Sequence, residues 1–213
     1  MSVPSQAIRV YSFELSGHAH RVRLMLSLLG LPHQVIEVDL KGGEQKTPEF
    51  LARNAFGQVP VIEDGQLTLA DSNAILTYLA QKYDDQRRWW PADAAEQAQV
   101  QRWLSVAAGS LAYGAAAARI AAVFQKTDNP QARAMAERLF TTVDKHLSTR
   151  SWLAADHPTV ADVSMYSYTA HAPEGGVSLE PFPHLRAWLS RIEALPGFVG
   201  MPRTETSVVF MAA

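Results

Sequence analysis

Two short stretches of this chain carry residue types that could do chemistry. In the first, Gln58-Val59-Pro60 sets a proline inside a strand-like run. Proline cannot donate to a sheet ladder and is confined to edges, strand starts and bulges. It can also take the cis isomer, which turns the chain sharply and leaves the N–H and C=O of the residue before it facing away from the sheet. Val59 would then be a backbone docking point for an extended peptide, which adds to it as a strand does. An ordinary edge proline accounts better for Val-Pro standing alone. In the second stretch, Asp71-Ser72 lies where a strand hands over to a helix. A helix start carries unsatisfied N–H groups and the positive end of the helix dipole, so it suits a carboxylate. Ser72 adds a hydroxyl donor, and Asp71 can accept from an ammonium group. A carboxylate and an ammonium on one carbon make an α-amino acid head group. A plain helix cap is the simpler alternative.

Composition narrows the classes. The chain has 213 residues, 47% apolar and 19% charged, with a formal charge of −2. That is enough for one large or two modest domains with a sizeable core. Nothing in the charge points to a nucleic-acid or membrane-surface partner. There is no cysteine. A disulfide framework, a thiolate metal site and a cysteine nucleophile are therefore excluded, and a cytoplasmic location fits. Residues 1–9 show no signal pattern. The most apolar stretch, residues 107–124, is interrupted by Gly109, Ser110, Gly114 and Arg119. It reads as a small-residue core helix rather than a membrane span.

The elements that must position the two stretches follow from periodicity. Residues 8–13 are β-branched and aromatic, and residues 20–29 have helical apolar spacing closed by Gly30. Residues 34–40 alternate. Thr47-Pro48-Glu49 opens a short helix. Residues 59–63 and 67–70 flank Asp64-Gly65, a hairpin signal. Asp71 or Ser72 caps a helix beyond. The order is β-α-β-α-β-β-α. Past Pro91 the strand signals stop, and helices are expected at residues 94–125, 130–149, 160–172 and 184–194. The predicted organisation is an α/β domain over residues 1–83, a linker at 84–93, and an all-helical domain over 94–213.

The runs KTPEFLARNAFGQVPVI (46–62) and ADSNAILTYLAQKY (70–83) resemble the glutathione-binding half of the cytosolic glutathione transferases. TVADVSMY (159–166) extends the resemblance into the helical part. Most members have Glu where this chain has Asp71; both suit an ammonium. The resemblance, closest in type to bacterial serine-type members, implies a thioredoxin-like domain with a cis Val59–Pro60 bond, followed by a helical bundle. Val59 would pair with the cysteine of glutathione, Asp71 and Ser72 would hold its γ-glutamyl head, and Gln58 would lie near that head. Lys46 would meet the glycine carboxylate, with a weaker claim for Gln45.

Chemistry in this family needs the thiolate. A free thiol with pKa near 8.5 is only a few per cent ionised at neutral pH, and a hydrogen bond to sulfur favours the charged form. The donor belongs in the loop after the first strand. Ser16 is the match to the serine of serine-type members, and a simple N-cap is its alternative. Ser12 rather than Tyr11 falls where tyrosine-type members carry their phenol. His18 stands near the position of the bacterial cysteine and could donate to sulfur or water. His20 and Arg21 read as structural or dimer-facing. Thr159-x-x-Asp162 reads as a capping-box-like folding element without chemistry. Trp103, Tyr113 and Tyr166 are more often core than substrate wall.

The resemblance implies a homodimeric, cytoplasmic transferase with glutathione as co-substrate and no metal or other cofactor. It would add the glutathione thiolate to small, mostly apolar electrophiles in a pocket between the domains, formed with the helical domain. Peroxide reduction or isomerisation on the same site, and a non-catalytic interaction protein that kept the fold, are the alternatives.

Overall fold

The computed structural model describes residues 4–210. The chain divides into two compact units. One comprises the residues up to Trp90 together with Leu195–Met201, and the other Pro91–Ala194 together with the stretch from Pro202 onward.

The first unit follows the order β1 (Ile8–Ser12), α1 (Gly17–Leu28), β2 (His33–Glu37), a 3-10 turn at Glu44–Lys46, α2 (Pro48–Arg53), β3 (Val61–Asp64), β4 (Leu67–Ala70) and α3 (Ser72–Tyr83). The sheet order is β2-β1-β3-β4, with β1 parallel to β2 and antiparallel to β3, and β3 antiparallel to β4. Central β1 alternates its side chains between two covered faces. Ile8 and Val10 are fully buried, and so is Ile62, the residue opposite Val10. Tyr11 and Val61 point to the other face and cluster with Phe50 of α2 and Val38. The helices α1 and α3 pack on each other through residues such as Leu24, Met25, Ile75 and Leu79, all buried. This is the small mixed sheet with helices that a thioredoxin-like domain requires.

Local sequence explains the joints. Thr47 caps α2 and Pro48 occupies its first turn, where a missing N–H costs nothing. Gly65 takes φ +61°, which the tight β3–β4 turn demands. After α3, both carboxylate oxygens of Asp84 accept backbone N–H groups, from Gln86 and Trp89, and tie down residues 84–89.

The second unit is helical. Helix α4 (Ala94–Val106) runs on through π-helical turns at Ala107–Ala116, a short α5 (Ala117–Ile120) and a second π-helical stretch at Ala121–Gln125. Helices α6 (Pro130–Leu147), α7 (Val160–Ala170) and α8 (Pro183–Glu193) follow. By length and composition the 32-residue rod Ala94–Gln125 could cross a membrane, with a mean hydropathy of 1.4 in its most apolar window. Yet 56% of that window is buried in the protein, as a core helix would be. Gly114 lets it approach α6: a Cβ there would sit 3.0 Å from the Ala136 nitrogen. Helix α7 is buried along its whole length. Its capping box is closed by Asp162, which also accepts from the Leu153 N–H and the Trp188 indole. That motif is a folding element, in line with its sequence. Trp103 and Tyr166 are buried, whereas Tyr113 is exposed.

One segment departs from the expected division. Leu195–Met201, inside the stretch read as helical domain, belongs with the first unit. It is anchored there by Ser27 donating to the Gly197 carbonyl at 2.6 Å and His20 Nε2–H donating to the Val199 carbonyl at 2.9 Å.

Candidate active site

The β1–α1 loop places Ser16 at the N-cap of α1. Its side chain accepts the Ala19 N–H at 3.2 Å. A hydroxyl has two lone pairs and one proton, so the cap leaves the Ser16 proton to be donated elsewhere. Neither α1 nor α3 carries an acidic residue in its first turn, whereas α2, α4 and α7 carry Glu49, Glu96 and Asp162 there. The positive end of α1 is thus not offset within its first turn, whereas α3 is capped by the Asp71 carboxylate.

His18 is half-buried in the first turn of α1. Its Nδ1 lies 3.0 Å from Arg21 Nη1 and 3.4 Å from Ser72 Oγ. Burial pushes its pKa down to about 3, and the Arg21 charge works the same way. The imidazole is therefore neutral at physiological pH. It can donate one proton to sulfur or water but cannot supply a positive charge.

The loop after α2 presents Val59. The Val59–Pro60 peptide bond is cis. Among the described residues no hydrogen bond engages the Val59 N–H or C=O. The carbonyl just before it, Gln58 O, is pinned by the Asn54 amide at 2.8 Å. Asn54 is buried and also accepts the Phe56 N–H at 3.1 Å, so it fixes the loop from beneath. The Gln58 residue itself is exposed. Lys46, also exposed, reaches the same loop: a Cβ on Gly57 would lie 3.0 Å from its Nζ. Gln45 instead turns its amide to the Leu40 carbonyl at 3.2 Å.

The pairing of β3 with β4 ends at Val61 opposite Ala70. Pro60 and Asp71 are therefore the next residues outward on the two strands. Asp71 caps α3 by accepting the Ala74 N–H through Oδ1 at 2.9 Å, and its residue remains exposed. Its φ of +72° with ψ of 121° is a backbone state that a non-glycine residue holds only against strain. Ser72 is buried and accepts from Arg21 Nη1 at 3.2 Å. Through that contact the starts of α1 and α3 come together.

The structure thus joins His18 with Ser72, Pro60 with Asp71, and Lys46 with the Gln58 loop. Two contributors were missed in the sequence. Asn54, just past α2, was not singled out, and Arg21 was read as structural or dimer-facing. His20 is structural, as its bond to Val199 shows. Ser12 is fully buried, and Tyr11 is buried with its hydroxyl on Glu63 at 3.1 Å, so neither offers a phenol or hydroxyl to this surface. Among the described residues no group of three or more His, Cys, Asp and Glu side chains could hold a metal ion.

Residues 15–82 match the family model described as "Glutathione S-transferase, N-terminal domain", and residues 94–196 match "Glutathione S-transferase, C-terminal domain". Glutathione S-transferase 3 of Zea mays is 31% identical over 206 residues, covering 90% of this chain and 91% of the maize protein. The crystal structure of a possible glutathione S-transferase from Rhodopseudomonas palustris superposes with a TM-score of 0.85 at 33% identity, covering 93% of this chain and 100% of the other. A glutathione transferase homologue from Drosophila mojavensis, solved with bound glutathione, gives a TM-score of 0.82 at 28% identity, covering 89% of each chain. With both halves matched over nearly their whole length, the chain belongs to the glutathione transferase superfamily.

Proposed function

We propose that this enzyme adds the glutathione thiolate to small, mostly apolar electrophiles, as a homodimer in the cytoplasm. Glutathione lies extended along the first unit. Its cysteine pairs backbone-to-backbone with Val59 beside Pro60. Its γ-glutamyl ammonium meets Asp71, and the carboxylate on the same carbon takes the Ser72 hydroxyl and the N–H groups at the start of α3. Gln58 adds a polar contact near that head, and Lys46 meets the glycine carboxylate. Ser16 donates to the sulfur, with His18 as a neutral second donor. The helical unit forms the pocket for the second substrate. No metal or other cofactor takes part.

One observation carries this reading. Val59 has an unengaged peptide edge, and the residue after it stands beside Asp71 at the end of one hairpin. A bound peptide can therefore use backbone and head-group contacts at once. The glutathione bound to the Drosophila mojavensis homologue gives the same ligand class in a related fold. Thiolate formation is the chemical demand. Each unit by which the site lowers the thiol pKa is worth about 1.4 kcal/mol.

The test is a screen of electrophiles and of peroxides with glutathione, run beside a calorimetric titration of glutathione alone. Conjugation with tight glutathione binding is the expected result. Peroxide reduction without conjugation would replace the transferase reading, and absence of glutathione binding would remove it.

A further inference from the structure

The backbone of Ser16 hangs on a single peptide plane. Ser16 N–H donates to the Phe13 carbonyl at 2.9 Å, and the N–H of that same Phe13–Glu14 peptide donates to Glu37 Oε1 at 2.7 Å. The next carbonyl along, Glu14 O, accepts from Arg23 Nη2 at 3.0 Å. We infer that Glu37 and Arg23 are positioning residues, a bracket on the β1–α1 loop that sets where the Ser16 hydroxyl meets the thiol. The inference rests on the glutathione reading above and names what holds its thiol donor in place.

Both reaches follow from the elements that flank the loop. Glu37 ends β2 and stands opposite Ser12, the last residue of β1. The Val38 N–H donates to the Ser12 carbonyl at 2.8 Å, so the two strands stay together up to the loop. Glu37 therefore needs to span only two residues of the neighbouring chain to take the Glu14 N–H. A carboxylate accepting a backbone N–H makes a strong, short bond. Arg23 comes from the other side. It lies seven residues after Ser16, about two helical turns, and so shares its face of α1. Side chains on a helix lean toward its N-terminus, which carries the guanidinium back to the loop.

The two side chains thus fix consecutive peptide planes, one from the sheet and one from the helix. Ser16 follows directly, and its own cap bond to the Ala19 N–H does not set the loop against β2. Arg23 bears a cost in this place. Its Nε is buried without a hydrogen-bond partner. Burial pushes its pKa down, and the Glu37 and Glu14 carboxylates work against that. A cation held at a cost, with its hydrogen bond given to a neutral loop carbonyl, is what a site that needs a fixed loop would keep. Placement matters because a hydrogen bond to sulfur weakens steeply with distance and angle.

The absorbance of the bound thiolate, titrated with pH, reads the result. Glu37 is exposed, and exposed substitutions seldom unfold a protein, so Glu37→Ala decides. It should raise the thiol pKa of bound glutathione by roughly one unit and lower kcat roughly tenfold, with KM for glutathione within about twofold of the parent. Glu37→Gln keeps an acceptor oxygen and should restore most of the rate. Arg23→Ala should act as Glu37→Ala does, and Arg23→Lys should restore part of the loss through one remaining donor. In Ser16→Ala protein, Glu37→Ala should add nothing to the pKa, because the bracket acts through that serine. A parental thiol pKa in folded Glu37→Ala overturns the inference, and so does a shift that persists at full size in Ser16→Ala. Calorimetric titration of the parent separates the two levels. Failure to bind glutathione removes the glutathione reading, whereas binding with a parental thiol pKa in Glu37→Ala removes only the bracket.

Discussion

Each unit holds an arginine at 1% exposure, Arg21 in the first and Arg119 in the second, and the two have different kinds of partner. In the helical unit, Arg119 donates to Glu174 at 2.7 Å. The other oxygen of Glu174 accepts from His171 Nδ1 and from the Thr204 N–H. Donors converge on one carboxylate, and Gly175 presses so close to the helix backbone that a Cβ there would lie 2.5 Å from the Arg119 main-chain nitrogen. In the first unit, Arg21 gives hydrogens to two neutral groups, His18 Nδ1 at 3.0 Å and Ser72 Oγ at 3.2 Å. The first arrangement gathers three donors around one carboxylate. The second spans the starts of α1 and α3, and the Ser72 hydroxyl that accepts there keeps its own proton. A buried cation therefore marks a ligand site only when what it touches still has something to give.

The comparison is broken most severely at Glu174. Glu174→Ala should destabilise the protein by about 3–5 kcal/mol, because Arg119 is left buried beside a lost partner. Urea unfolding measures it, and a loss below about 1 kcal/mol would mean the three donors do not lock the unit. Acid should produce the same loss gradually in the parent. Burial pushes the Glu174 carboxyl up, but the His171 hydrogen bond and the Arg119 charge win and hold it below its ordinary 4.5. A depressed folded-state pKa gives stability that is complete above 4.5 and is lost as pH falls through the folded value. The stability gap between the parent and Glu174→Gln should accordingly narrow below that pH.

In the first unit, Ser16→Ala should lower the conjugation rate by about 10- to 1,000-fold and raise the pKa of bound glutathione. Glutathione affinity should barely change. The variant also loses a helix cap, about 1 kcal/mol of stability, so thiolate absorbance is read on protein shown to be folded. If the absorbance and rate survive while His18→Ala abolishes both, the imidazole is the activating donor.

A smaller effect is expected at the head-group site. Asp71→Ala should weaken glutathione by about 1.5–3 kcal/mol, the range for hydrogen bonds to charged groups. Asp71→Asn keeps the cap and tolerates the positive φ, so calorimetry on it isolates the charge. Equal affinity in Asp71→Asn and parent would put the ammonium elsewhere. The smallest effect belongs to exposed Lys46. Lys46→Ala should cost at most about 1 kcal/mol of binding and less at high salt.

Legibility in the sequence followed the range of the interaction. Strands, helices, the Asp64-Gly65 turn and the Thr159–Asp162 cap rest on neighbours within a few residues, and the sequence displays them. Val59, Pro60, Asp71 and Ser72 stood out because strand breaking and helix capping are local as well. Arg21 did not. Its partner Ser72 is 51 residues away, and an arginine on a helix looks the same whether it faces water or a hydroxyl. The π-helical turns at Ala107–Ala116 were equally hidden, since a run of alanine and glycine has no spacing that distinguishes i+4 from i+5 bonding.

The return of Leu195–Met201 to the first unit bears on how this protein can be cut and recombined. A chimera joined at Trp90 would carry the front unit without a strip of its own chain. His20, wholly enclosed, would lose the Val199 carbonyl, and Ser27 would lose that of Gly197. Removing one partner of a buried hydrogen bond costs about 1–3 kcal/mol. Exchange of the front unit between relatives therefore requires two crossovers rather than one. The second must bring the seven-residue strip along with the α1 it was shaped to fit.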